Sequence, residues 1–270
     1  MSNHKRSTDH QKPPKTSRSL GKRIFLIGLA MIAGLYGTIL AMHAAYPRRQ
    51  AALPTSLLEQ CRELCLNYGL IPTGHLANDA NDYLAVAKPQ ELSSPLAEIL
   101  ADKEFIPIET QPHPLLGQPA PDFLLQNDRK EDVSLREILE RGPVIVVFYY
   151  GYTCSHCVAQ LFALQKDLSY FRELDAQVIA ISADAPEHTA EQFAEYGRFE
   201  FPTLSDLDNT VAKQYGVFAP ATATTAEDRK HGTFVIDRTG RIVFADYGYK
   251  PFLDNKTLLF RLADRHTQDN

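Results

Sequence analysis

Val144–Tyr150 is an unbroken run of apolar and aromatic residues, and three residues after it the chain reads Cys154-Ser155-His156-Cys157. A strand with no polar alternation is one that helices cover on both faces. Val158, Leu161, Phe162 and Leu168 follow at helical spacing, so the cysteine motif falls where a buried strand hands over to a helix packed back upon it. A second continuous run, Gln177–Ser182, leads in the same way to Phe193 and Tyr196. This alternation predicts an α/β fold with a central mixed, mostly parallel sheet flanked by helices. Thr233–Asp237, the turn Arg238-Thr239-Gly240 and Arg241–Tyr247 predict a hairpin, and a closing helix is expected near Lys256–Arg265.

The remainder of the chain reads differently. Residues 1–23 hold seven of the 28 Lys and Arg residues against one acid, Asp9. Residues 24–45 hold no Asp, Glu, Lys or Arg. A helix of those 22 residues would be roughly 33 Å long, enough to cross a bilayer. The charge asymmetry puts the basic tail in the cytoplasm and everything after residue 45 outside it. The rival, a cleaved signal peptide, calls for a shorter apolar core and a small residue where His43 stands. The expectation is therefore a basic cytoplasmic tail over 1–23, a single-pass inner-membrane anchor over 24–45, a helical extension over 46–114 and an extracytoplasmic (periplasmic) redox domain over 115–270. Within the extension, helices are expected from Ser56, around Leu76–Val86 and after Ser94-Pro95, before Pro107, Pro112, Pro114, Pro119 and Pro121 punctuate the chain. Residues 46–270 carry 21 basic against 32 acidic side chains, which excludes a basic nucleic-acid-binding surface as the theme of the folded part.

Chemistry points to the Cys-x-x-Cys pair. At a helix N-terminus the unpaired backbone N–H groups and the positive dipole end stabilise an anion, so Cys154 is expected to be the exposed attacking thiolate and Cys157, one turn on, its resolving partner. His156 adds a positive charge beside the thiolate and would make the disulfide a stronger oxidant. Tyr152 and Thr153, just ahead of the motif, are candidate tuning positions, and Tyr149, Tyr150 and Tyr152 a candidate apolar collar. The competing readings are two incidental buried cysteines or half a zinc site. A tetrahedral zinc site needs four ligands, and nothing in the sequence shows Cys61 and Cys65 meeting the first pair. No metal and no cofactor are expected.

Cys61 and Cys65 lie at i and i+4 on a face shared with Leu57, Leu58 and Leu64. In a regular helix their Cβ atoms are about 5–6 Å apart, too far for a disulfide without unwinding. Burial as small hydrophobes and a second redox pair relaying electrons to the first are both open.

Gly117-Gln118-Pro119-Ala120-Pro121-Asp122-Phe123, the strand-to-CxxC junction, Ile181-Ser182-Ala183-Asp184, Phe201–Asp206, Tyr215-Gly216-Val217 and Thr233–Asp237 together resemble the thioredoxin-like superfamily in its AhpC/TSA (peroxiredoxin-related, redoxin) branch, over about residues 115–266. The resemblance implies a thioredoxin-like fold and thiol-based redox chemistry. Peroxiredoxins are similar to one another in a Pro-x-x-x-Thr-x-x-Cys motif and a later Arg. Here Tyr150 stands for the Pro, Cys154 for the Thr, Cys157 for the peroxidatic Cys and His231 for the Arg. His231 also takes the place of the cis-Pro of disulfide-exchanging members. These departures weigh toward a membrane-anchored thiol-disulfide oxidoreductase acting through Cys154 and Cys157, with protein thiols or disulfides and a thiol electron donor or acceptor as partners. The alternatives are a thiol-dependent antioxidant peroxidase with Cys157 peroxidatic, and a Sco-like copper chaperone using Cys154, Cys157 and His231.

Overall fold

The computed structural model describes residues 25–34, 36–38, 66–67, 69–71, 73–152 and 154–266. The chain divides into two compact units, Met1–Leu53 and Pro54–Asn270. In the first, residues 25–34 and 36–38 are helical, and Phe25, Leu26, Met31 and Ile32 point outward. No helix among the described residues is long and apolar enough to cross a membrane. The expected helix from Ser56, with Cys61 and Cys65, lies outside the described residues up to Cys65.

The second unit opens with α1 (Leu76–Ala87) and α2 (Leu96–Leu100). Asp79 anchors the start of α1 by accepting from the Thr73 N–H (2.9 Å), the Thr73 hydroxyl (2.7 Å) and the Gly74 N–H (3.2 Å). There follow β1 (Leu124–Asn127), β2 (Asp132–Ser134), α3 (Leu135–Leu139), β3 (Val144–Phe148), α4 (Ser155–Lys166), α5 (Leu168–Glu173), β4 (Gln177–Ser182) and α6 (Pro186–Tyr196). The chain continues through β5 (Thr203–Ser205), α7 (Thr210–Gln214), the small pair β6 (Phe218–Ala219) and β7 (Asp228–Arg229), then β8 (His231–Ile236), β9 (Ile242–Gly248) and α8 (Asn255–His266).

Seven strands form one sheet in the order β2-β1-β5-β4-β3-β8-β9. Only β3–β4 and β4–β5 pair in parallel; β1–β2, β1–β5, β3–β8 and β8–β9 are antiparallel. The sheet is mixed, and the expected parallel majority is corrected. A parallel pair needs a helical crossover, which α4 and α6 supply at the centre, whereas each flank is a hairpin, β1–β2 or β8–β9, whose inner strand joins the centre antiparallel. The result is the thioredoxin-like α/β fold.

Strand alternation divides the core. Ile145 and Val147 of β3 face one layer with Val178, Ala180, Val235, Leu161, Leu164, Phe171 and Leu258. Val144, Val146 and Phe148 face the other with Ile179, Ile181, Leu135, Ile138, Val211 and Phe234. Both faces of the central strand are dry, which is why its sequence is a continuous apolar run.

The proline-punctuated stretch 110–120 lies along the outer side of β9. Gln111 N–H donates to Ala245 O (2.8 Å), Gly117 N–H to Ile242 O (2.7 Å) and Ile242 N–H back to Gln118 O (3.0 Å). Thr110 Oγ1 accepts from Ala245 N–H (2.9 Å), and Gln111 Oε1 from Tyr247 N–H (3.4 Å).

Candidate functional site

Past Phe148 the Tyr149 N–H still donates to Ile181 O (3.0 Å), so the loop leaves the sheet only after that residue. Gly151 makes the turn at φ +106°, where a Cβ would stand 2.6 Å from Asp184 Oδ2. That carboxylate accepts from the Tyr152 N–H (2.8 Å) and the Ser182 hydroxyl (3.2 Å). Asp184 thus ties the end of β4 to the loop that delivers the cysteines, and burial pushes its carboxyl up against the opposing pull of the Tyr152 N–H. Gly151→Ala should therefore be costly. Backbone strain at a positive φ and the clash with Asp184 together predict a loss of about 2 kcal/mol, read as a fall in melting temperature of roughly 4–8 °C. An unchanged melting temperature would show that the loop has room to shift.

Cys154 is the N-cap of α4, and its carbonyl accepts from the N–H groups of Cys157 (3.1 Å) and Val158 (3.2 Å). Cys154 and Cys157 form a disulfide with a Cα separation of 5.4 Å. Their pairing is as expected; their exposure is not. Cys154 is 1% exposed, Cys157 0%, and His156 and His231 1% each. The expectation of an exposed Cys154 fails because α1, from the N-terminal extension, packs along α4. Ala80 and Tyr83 bury against Ala159, and the Tyr83 ring lies 5.6 Å from that of His156.

His156 faces Cys154, with both ring nitrogens 3.3 Å from Sγ. Burial pushes it down to about 4, so at neutral pH the ring beside the disulfide is uncharged. The expected cation is replaced by a neutral imidazole able to donate an N–H to sulfur. His231 is the first residue of β8, paired with Gly248 of β9. Its ring packs at a 38° tilt against Tyr150 (4.5 Å) and sits 6.0 Å from that of His156. Burial holds it well below its ordinary range, with His156 adding to the effect.

Tyr149, Tyr150 and Tyr152 are all buried in the layer that contains both cysteines. Tyr150 donates its hydroxyl to Arg229 O, and Tyr152 packs edge-on to Tyr149 (5.6 Å). Thr153 lies outside the described residues. The structure therefore gathers Cys154, Cys157, His156, His231 and Tyr150 at one place, with Tyr152 buried in the same layer. Sequence reasoning assigned no role to Tyr83, Asp184 or Gln160. Gln160 Nε2 donates to Thr233 Oγ1 (2.8 Å), which joins α4 to β8. The signal available for Asp184 was an acid two residues past a buried strand.

The AhpC/TSA family model matches residues 116–245. Alkyl hydroperoxide reductase E of Mycobacterium tuberculosis, and the protein of that name in Mycobacterium bovis, are each 34% identical over 133 residues, covering 48% of this chain and 84% of theirs. The crystal structure of peroxidoxin BcpB from Mycobacterium tuberculosis superposes with a TM-score of 0.50 at 28% identity, over 56% of this chain and 98% of that one.

Proposed function

The chain belongs to the AhpC/TSA family of thiol oxidoreductases, and we propose that within it this protein is a hydroperoxide reductase in which Cys157 attacks the peroxide and Cys154 resolves it. The supporting observation is the position of the pair: both sulfurs stand at the N-terminal turn of α4, at bonding distance from each other, in a chain similar to a protein named for alkyl hydroperoxide reduction. This reverses the order in which the sequence motif alone ranked the two enzyme readings.

In the reaction the Cys157 thiolate attacks one peroxide oxygen. The O–O bond breaks, the alcohol leaves with a proton, and Cys157 carries a sulfenic acid. The Cys154 thiolate then attacks that sulfur, water departs and the Cys154–Cys157 disulfide forms. A thiol electron donor reopens it in two exchange steps. The α4 dipole and the His156 N–H favour the thiolate at Cys154. Direct disulfide exchange with protein thiols is the second reading, favoured by the contact of His156 with Cys154 Sγ in particular. Mixing reduced protein with one equivalent of cumene hydroperoxide should give one equivalent of cumyl alcohol and a protein lighter by two hydrogens. A dithiol that survives excess hydroperoxide but closes with oxidised glutathione would move the function to the second reading.

The proposal includes the anchor. Residues 24–45 would hold the protein in the inner membrane with the redox unit outside the cytoplasm. The apolar side chains of 25–34 point away from their helix into the surroundings, as an anchor's would. The protein should stay with membranes after carbonate washing, and a reporter fused after Asn270 should be active only outside the cytoplasm. A soluble, N-terminally trimmed product would refute the anchor.

A further inference from the structure

Cys154, His156 and Cys157 each present a ligand atom, all within 4.8 Å of one another. The His231 ring lies 6.0 Å from that of His156; it is buried, and neither of its ring nitrogens meets a hydrogen-bond partner. A buried imidazole with both nitrogens unsatisfied carries a desolvation cost that a ligand would relieve. We propose that the reduced protein binds one Zn²⁺ through Cys154, Cys157, His156 and His231.

The donor set is two sulfurs and two nitrogens, the composition that tetrahedral zinc prefers. The spacing suits it. Two imidazoles on one tetrahedral zinc have ring centres about 5 Å apart, given Zn–N bonds of about 2.0–2.1 Å. The rings of His156 and His231 are 6.0 Å apart, at 50° to each other. Charge selects among soft cations. Two thiolates and two neutral imidazoles carry −2, so a divalent ion makes the buried site neutral, whereas a cuprous ion would leave a net negative charge in a place with almost no solvent contact.

Zinc and the disulfide exclude each other. An external thiol reductant delivers two electrons to the disulfide and is itself oxidised. The two thiols that result release two protons as the Zn–S bonds form. Zinc therefore stabilises the reduced protein, and each tenfold excess of zinc over its dissociation constant should raise the midpoint potential by about 30 mV. Binding needs only the dithiol and the two histidines, so it is independent of whether peroxide or a protein disulfide is the oxidant.

The test uses the full chain reduced with a phosphine, titrated with zinc against a chromophoric chelator and examined by X-ray absorption at the zinc edge. One zinc per chain, two protons released, a first shell of two sulfurs and two nitrogens, and no binding by the disulfide form are expected. His231→Gln and His156→Gln should each weaken binding at least tenfold, while Cys61→Ser with Cys65→Ser leaves it unchanged. Binding equal in the oxidised and reduced chains, a shell lacking the two nitrogens, or loss of zinc in the Cys61→Ser/Cys65→Ser chain would each overturn the site. The absorption spectrum of the unaltered protein decides the matter even if a histidine variant fails to fold.

Discussion

Cys157→Ser is expected to lower hydroperoxide consumption by at least about a thousandfold, because under the proposed mechanism it removes the sulfur that attacks the peroxide, and a serine hydroxyl is not ionised at neutral pH. Cys154→Ser should behave differently. It keeps the attacking sulfur but loses the one that closes the disulfide, so the first turnover should proceed and stop at a Cys157 sulfenic acid, which excess peroxide converts to the sulfinic form. The measurement is a stopped-flow peroxide assay with mass spectrometry of the product. Full peroxide consumption by Cys157→Ser, or stable mixed disulfides between its Cys154 and protein partners with no peroxide reaction in Cys154→Ser, would transfer the function to disulfide exchange.

The second large effect concerns access. Both sulfurs are buried and the Tyr83 ring of α1 lies against His156, so reduction is expected to require α1 to lift from α4. Reduction then proceeds through a local opening whose free energy sets the observed rate. Tyr83→Ala removes a buried aromatic from that contact, worth about 3 kcal/mol by analogy with other aromatic truncations. Reduction by dithiothreitol should accelerate about a hundredfold. The melting temperature should fall as well, so the rate is compared at a temperature where both proteins are fully folded. An unaltered reduction rate would mean that thiols reach the pair from the loop before α4 rather than past α1.

The elements with their own periodicity were legible. Gln177–Ser182 is a strand to the residue, the helix expected around Leu76–Val86 is α1, and Ser94-Pro95 does precede α2. The strands that turn the sheet antiparallel on its β1 side were not. β1, β2 and β5 are three or four residues long, too short to show alternation, and their pairing depends on partners distant in sequence. The site divides in the same way. Cys154 and Cys157 are visible as a motif, but the neutrality of His156 comes from burial under Tyr83, some 70 residues earlier in the chain. His231 shows in the sequence only as the residue in place of the family's Arg and cis-Pro; the β3–β8 pairing, which sets Phe148 against Gly232, is what brings it beside His156. Gly151 alone announces little; it acquires meaning when Asp184 is found where its side chain would be.

The stretch 110–120 also determines how other proteins can approach. A free sheet edge offers its amides to any extended chain, and many recognition events and aggregates begin by adding a strand there. The outward amides of Ile242, Ala245 and Tyr247 are already taken by this stretch, and Pro112, Pro114 and Pro119 within it have no N–H to pass the ladder on. The opposite edge is β2, three residues long and opened by the acid Asp132. Neither end of the sheet is a template for backbone pairing. A protein that reaches the disulfide must therefore be selected by the shape and charge of side chains around α1 and α4 rather than by backbone pairing at a sheet edge.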